Sequence, residues 1–325
     1  MKKQRMTTGL TALGAIAALA LAGCSGGGDG GSGGEDKGAL AMSFAGRDIQ
    51  LWNDMLPFME DVVEDAGYEF VTDNPEWNAQ TQVENWESWI VQGEVKVIMG
   101  YPAQSDSMVP VTLQAQDAGI PVLGYGSEWE GVSAAVLMDH ERDGKRLGEA
   151  AAEWIRETYG DESVDVALLA YPDTDLGRFR GEGIKAALDE SGLNLNITEQ
   201  RALNLDEGYA AVQNQLSAFP NTKVWLGISN DQTRGAYQAL IDSGVSGTDP
   251  TVLVGNVDGT DAEVEYVMEE GSIWRYLYMV PAREIAEANA QMMIDAAEGK
   301  DVEDVVLEQT QVTSENAESF LLENQ

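Results

Sequence analysis

Several apolar runs in the chain stop at a side chain able to hold a small molecule. Tyr101 follows "VIMG", Tyr125 follows "PVLG", Tyr171 follows "ALLA", Asn230 and Asp231 follow "WLGIS", and Asn256 and Asp258 sit in "LVGNVDG". Tyrosine offers a flat apolar face with a hydroxyl at its tip, while amides and carboxylates exchange hydrogen bonds with hydroxyls. Gathered at one edge, these groups suit a small guest with an apolar face and several hydroxyls. Each also has a plainer role. Tyrosine is common in strands, and Asn or Asp ahead of a helix is often its cap, the role favoured for Asp231 before "QTRGAYQAL".

The remaining composition closes off much other chemistry. One histidine (His140) and one cysteine (Cys24) leave no Cys/His metal cluster and no disulfide within the chain. A serine triad would need His140 and a G-x-S-x-G elbow, yet the nearest string, "GISND", lacks the second glycine. Neither the dinucleotide fingerprint nor the P-loop pattern occurs, so no cofactor and no metal are expected. Two-carboxylate glycoside hydrolysis stays as an alternative, because 56 acidic residues always allow some pair. A formal charge of −37 repels phosphate backbones and argues against a nucleic-acid partner.

From Ala39 onward, short apolar runs alternate with longer segments of helical period, the pattern of strand-helix units around parallel sheets, and the fold class is α/β. Strands are predicted near 39–45, 68–72, 95–101, 121–125, 164–171, 222–229, 251–256 and 272–279. Helices fill most gaps, among them 107–118, 141–158, 181–191, 206–219 and 231–243, with Gly119 and Gly244 expected as left-handed ends. Parallel sheets open their ligand crevices beyond the carboxyl ends of the strands, where the residues above stand.

Ahead of this body, Lys2, Lys3 and Arg5 precede an uncharged apolar run from Leu10 to Ala22, the layout of a secretion signal. The tetrad Leu21-Ala22-Gly23-Cys24 resembles the lipobox of bacterial lipoproteins. The resemblance implies cleavage after residue 23 and a lipid on Cys24, holding the protein at the outer face of the cell membrane. Residues 24–38, the lipidated cysteine and a glycine-rich stretch, cannot bury apolar area and read as a flexible leash with a reach of roughly 20 Å. Loss of the three leader cations would move the charge from −37 to −40.

From Gln50 on, five segments in order resemble the ribose- and galactose-binding class of type 1 periplasmic binding proteins, the solute receptors of ABC importers. They are "VQGEVKVIMGYPAQSDSMVPVTLQAQDAGIPVLGY", "VLMDHERDGKRLGEAAAEWI", "GRFRGEGIKAAL", "VWLGISNDQTRGAYQALIDSG" and "TVLVGNVDGTDAEVEYVMEEG". The resemblance implies two lobes, each a parallel sheet flanked by helices, joined by three crossing segments. On this chain the N-terminal lobe is expected at 39–139 and 280–308, the C-terminal lobe at 140–279 and 309–325. It also implies binding roles for Arg178 in "GRFRGEG", Asn230, Asp258, and Trp52 as a ring stacked on the guest. Arg47, Gln50, Tyr101 and Gln104 are further first-lobe candidates, with Tyr125 and Tyr171 at strand ends.

The departures from that family pattern matter as well. Gly126 and Ser127 replace an aspartate-arginine pair, Met279 is expected at the ligand where the pattern has a glutamine before Pro281, and His140 replaces an asparagine in what is expected to be a hinge-side role. Ribose itself is therefore a poor guest; another pentose, a hexose, a deoxysugar or a polyol stays open. The function implied is a monomeric, non-enzymatic receptor passing a neutral sugar or polyol to an ABC permease and its ATPase, with a sugar sensor as the alternative. Cys24→Ser is expected to release the protein into the medium; membrane fractionation checks this, and full retention on membranes contradicts the tether.

Overall fold

The computed structural model describes residues 37–325; the proposed leader, Cys24 and most of the leash lie outside the described residues. Two six-stranded sheets organise the chain. The first contains β1 (Ala39–Ser43), β2 (Glu69–Thr72), β3 (Val95–Gly100), β4 (Val122–Tyr125), β5 (Ala134–Met138) and β11 (Val305–Leu307), in the order β11-β5-β4-β3-β1-β2, all parallel. The second holds β6 (Val164–Ala170), β7 (Leu195–Arg201), β8 (Val224–Gly227), β9 (Leu253–Val257), β10 (Trp274–Met279) and β12 (Thr310–Val312), in the order β12-β10-β9-β8-β6-β7. Only β12 runs antiparallel, against β10.

Helices cover both faces of each sheet, and the two-residue period of the strands sorts the core accordingly. Leu40 and Met42 of β1 face α1 (Gln50–Asp65) and α9 (Ala282–Ala297), while Ala39 and Ala41 face α2 (Ala79–Gln92) and α3 (Ser105–Asp117). In the second sheet Val166 and Leu168 face α4 (His140–Tyr159) and α5 (Asp175–Glu190). Ala167 and Leu169 point the other way, toward α6 (Leu205–Ala218) and α7 (Asn230–Asp242). A further helix, α8 (Asp261–Met268), packs beside β10 against the C-terminal tail through Val264, Leu277 and Phe320. The chain passes between the sheets three times: from β5 into α4, from β10 into α9, and from β11 into β12.

Four strands escape the sequence reading. β11 and β12 are only three residues long, and β7 is a polar edge strand with its apolar pattern thinned by Asn196, Thr198, Glu199 and Gln200. β5, "AAVLM", runs almost directly into a helix and gives no turn signal. The most consequential difference is α5, which begins at Asp175 and not at 181. Thr174 caps it by accepting a hydrogen bond from the Gly177 amide at 3.1 Å, so both arginines of "GRFRGEG" lie inside the helix. Gly119 and Gly244 do adopt left-handed backbone, at φ 79° and 94°.

α4 and α5 press together backbone to backbone. A Cβ on Gly144 would lie 2.1 Å from the Arg180 carbonyl oxygen, and one on Gly183 would lie 2.2 Å from that of Glu141. Only glycine fits at either position, and this approach fixes where the Arg180 side chain starts.

Candidate functional site

A cavity of about 110 Å³ lies between the carboxyl ends of the two sheets, with walls from both. The first-sheet wall is aromatic and aliphatic. Trp52, in the first turn of α1, is buried with Phe44 stacked behind it at 5.0 Å and 8°, and Tyr101 lies 4.9 Å from its ring. Trp52 is thus both core and lining. Tyr101 and Tyr125 close this wall, 6.2 Å apart, and burial raises the pKa of both hydroxyls, keeping them protonated. Trp77 completes it from the loop before α2, in left-handed backbone at φ 60°, a conformation rare for so large a residue. No strand-end argument marks Trp77, and only its φ singles it out.

The second-sheet wall holds most of the polar groups. Arg180 is wholly buried; its Nη1 donates to Asp258 Oδ2 at 2.5 Å and to the Ile228 carbonyl at 3.0 Å, and Nη2 donates to Asp258 Oδ1 at 3.1 Å. Asp258 sits just past β9 at φ 63°, its backbone held by hydrogen bonds from Asn256 Nδ2 to the Asp258 carbonyl (2.6 Å) and from the Asp258 amide to the Tyr278 carbonyl (2.7 Å). Asn256 is itself locked by Trp274 Nε1 at 2.9 Å, so this strand-end amide shapes the loop without lining the cavity. Asn230 and Asp231 open α7 behind the cap Ser229; Asp231 is therefore not the cap but a first-turn carboxylate paired with Arg234 at 2.9 Å. Burial raises its pKa, and Arg234 opposes that shift.

Tyr171 also lines the cavity, with the Arg201 guanidinium 4.5 Å from its ring centroid. His140 joins them from the first residue of α4, at the β5-to-α4 crossing, so a place in the cavity lining adds to its expected hinge-side position. Burial drives its imidazole down to about 4, with the nearby positive charge of Arg180 acting in the same direction, so the ring is neutral at pH 7.

Five residues expected at the site stand elsewhere. Arg178 is displaced by helix geometry: two residues apart on α5, it and Arg180 face roughly opposite directions. Arg178 is half exposed, paired with Asp175 at 2.5 Å and laid over Phe179. The arginine at the cavity is Arg180. Met279 is core, packed with Val264, Val312 and Phe320. Arg47 donates to Asn53 Oδ1 at 3.0 Å, Gln50 to Asp54 Oδ1 at 2.6 Å, and Gln104 Oε1 accepts from Ser107 at 2.9 Å; none of these three lines the cavity. Gln104 instead borders a second, adjoining hollow.

One residue that holds the cavity carboxylate lies far off in sequence. Gln309, in the crossing between β11 and β12, donates from Nε2 to Asp258 Oδ1 at 2.8 Å and contacts Met138 Sδ of the first crossing at 3.8 Å. Its carbonyl accepts from Arg146 Nη1 at 2.5 Å, and its neighbour Glu308 pairs with Arg142 at 3.1 Å. Two crossings and the site carboxylate therefore meet at one side chain. No local motif marks Gln309.

The fold and this cavity between the two sheets define a class, and comparison with known proteins gives the same one. The periplasmic binding protein domain model matches residues 40–301, and the chain belongs to that family. It is 24% identical over 215 residues to the ribose import binding protein of Escherichia coli K12, covering 66% of this chain and 70% of that protein. A xylitol-binding protein of Mycolicibacterium smegmatis is 26% identical over 194 residues, 57% of this chain and 54% of its own. Among solved structures, an ABC transporter solute binding protein from Mycobacterium smegmatis with bound glycerol superposes with TM-score 0.77 at 22% identity, over 87% of this chain and 96% of that one. One from Bacillus halodurans with bound myo-inositol gives TM-score 0.74 at 22% identity, over 89% and 99%.

Removing either partner of a buried ion pair strands the other charge. Arg180→Met is expected to lower the unfolding free energy by roughly 3–5 kcal/mol, whereas Arg178→Ala, at an exposed pair, changes it by less than about 1 kcal/mol. Urea denaturation checks both; equal losses would contradict the assignment of Arg180.

Proposed function

We propose that this protein is an extracytoplasmic receptor, tethered by lipid on Cys24, that takes a neutral sugar or polyol between its lobes and hands it unchanged to an ABC importer. The N-terminal lobe comprises 39–139 and 280–308, the C-terminal lobe 140–279 and 309–325. The observation that carries the reading is the cavity itself: one lobe lines it mainly with aromatic and aliphatic side chains, the other supplies most of its hydrogen-bonding groups, and a guest inside touches both. A ligand contacting both lobes binds the closed form better than the open one and shifts the population toward it.

The charges support a neutral guest. Asp258 is forked by Arg180, Asp231 is paired with Arg234, and His140 is uncharged at pH 7. Asn230 and Asp258 would take hydroxyls on a sugar's polar edge, while Trp52 and Tyr101 cover its apolar face. The small volume suits a monosaccharide more than a chain of them, since drug-sized sites run to roughly 300–1,000 Å³. Closure excludes water, and a hydroxyl left unpaired then costs on the order of 1–3 kcal/mol, which sets specificity. The receptor acts as a monomer and needs no cofactor.

A thermal-shift and calorimetric screen of monosaccharides and polyols tests this. One solute is expected to bind at one per chain and to be recovered unaltered, adding about 2.7 kcal/mol of stability at 100 times its dissociation constant. Failure of every carbohydrate to bind, or loss of solute beyond one equivalent, would overturn it.

A further inference from the structure

The two walls of the cavity differ in what they can offer a guest. From the first lobe come Ile49, Leu51, Trp52, Trp77, Tyr125 and Met138, with Tyr101 adding one hydroxyl. Apart from the Tyr101 hydroxyl, two polar side-chain atoms of this wall are turned back into its own lobe: Trp77 Nε1 donates to Asp48 Oδ1 at 2.7 Å, and the Tyr125 hydroxyl donates to Met55 Sδ at 3.7 Å. The polar residues closest in sequence, Arg47, Gln50 and Gln104, are likewise spent on neighbours in their own lobe. The second lobe also contributes apolar and aromatic groups, Tyr171, Leu176, Leu203 and Ile228, but it supplies Asn230, Asp231, Asp258 and Thr174 as well.

An ordinary hexose carries hydroxyls around its whole rim, including the hydroxymethyl group. Seated here, the oxygens toward the first lobe would find only the Tyr101 hydroxyl, and the rest would leave water without regaining hydrogen bonds. A methyl group in the same place meets only apolar and aromatic surface, and its burial is favourable. A cation is not favoured, because both cavity carboxylates already hold an arginine.

We propose that the guest is a terminal-deoxy sugar, a monosaccharide with a methyl group in place of its hydroxymethyl. It sits with that methyl against the first-lobe wall and its ring hydroxyls on Asn230, Asp231 and Asp258. This rests on the reading of the cavity as a carbohydrate site and narrows it to one chemical class.

Matched pairs differing by a single oxygen test the proposal on the full chain freed of co-purified solute. The probes are D-fucose against D-galactose, L-rhamnose against L-mannose, 6-deoxy-D-glucose against D-glucose, and 5-deoxy-D-ribose against D-ribose, titrated calorimetrically. In the pair that binds, the deoxy member is expected to be tighter by about ten- to a hundredfold, the range set by one unpaired buried hydroxyl. Equal or tighter binding of the hydroxylated member overturns the proposal and leaves the carbohydrate reading standing. So does binding of a polyol with no response to any of the pairs. If neither pairs nor polyols bind, the carbohydrate reading falls with it.

Discussion

A guanidinium buried without access to water must have a carboxylate beside it, and much of the site's construction follows from satisfying Arg180. Its fork needs Asp258 at fixed distance and orientation, and the chain meets that need by holding Asp258 in left-handed backbone through Asn256 and Tyr278. The fork also needs a fixed origin, which the glycine contacts between α4 and α5 provide. What remains of Asp258's hydrogen-bonding capacity faces the cavity and Gln309. Binding surface and crossing segment therefore share one carboxylate. Asp143, in the first turn of α4, is also buried, and burial lifts its carboxyl to about 6 despite Arg180 nearby. Relative to an unfolded chain its cost is absent below about pH 4 and grows as pH rises through 6, so the Arg180 field is what makes its ionised form tolerable at pH 7.

The opposite wall is held by packing. Phe44 backs Trp52, Tyr101 and Tyr125 lean on that stack, and Trp77 is drawn in by Asp48 and the Ala45 carbonyl. Rings positioned this way lose little freedom when a guest arrives, because their rotamers are already fixed. Cohesion within the aromatic cluster and directional bonding within the Arg180 network thus divide between the two sheets. That division gives the cavity two unlike sides.

The fold was legible because periodicity is a property of whole segments. Leu40 and Met42 against Ala39 and Ala41 on β1 declare a strand buried on both faces wherever its exact ends fall. The site was legible where chemistry coincided with a strand end: Tyr101, Tyr125, Tyr171, Asn230 and Asp258 all reach the cavity. It failed where a register of one or two residues decides direction. "GRFRGEG" offers two arginines, and placing the helix start at 181 hid the turn that sends Arg178 to solvent and Arg180 inward. The residue immediately before "GEG" carried the signal, through Gly183 packing against α4. Gln309 and Trp77 gave no such sign, since one arrives by a long-range crossing and the other by an unusual backbone angle.

The account stands most directly on the coupling between Arg180 and Asp258. A double-mutant cycle of Arg180→Met, Asp258→Asn and the pair, read as unfolding free energy, isolates it. A coupling of at least about 1.5 kcal/mol is predicted for so close and enclosed a pair. Single-variant losses that simply add, to within about 0.5 kcal/mol, would contradict it.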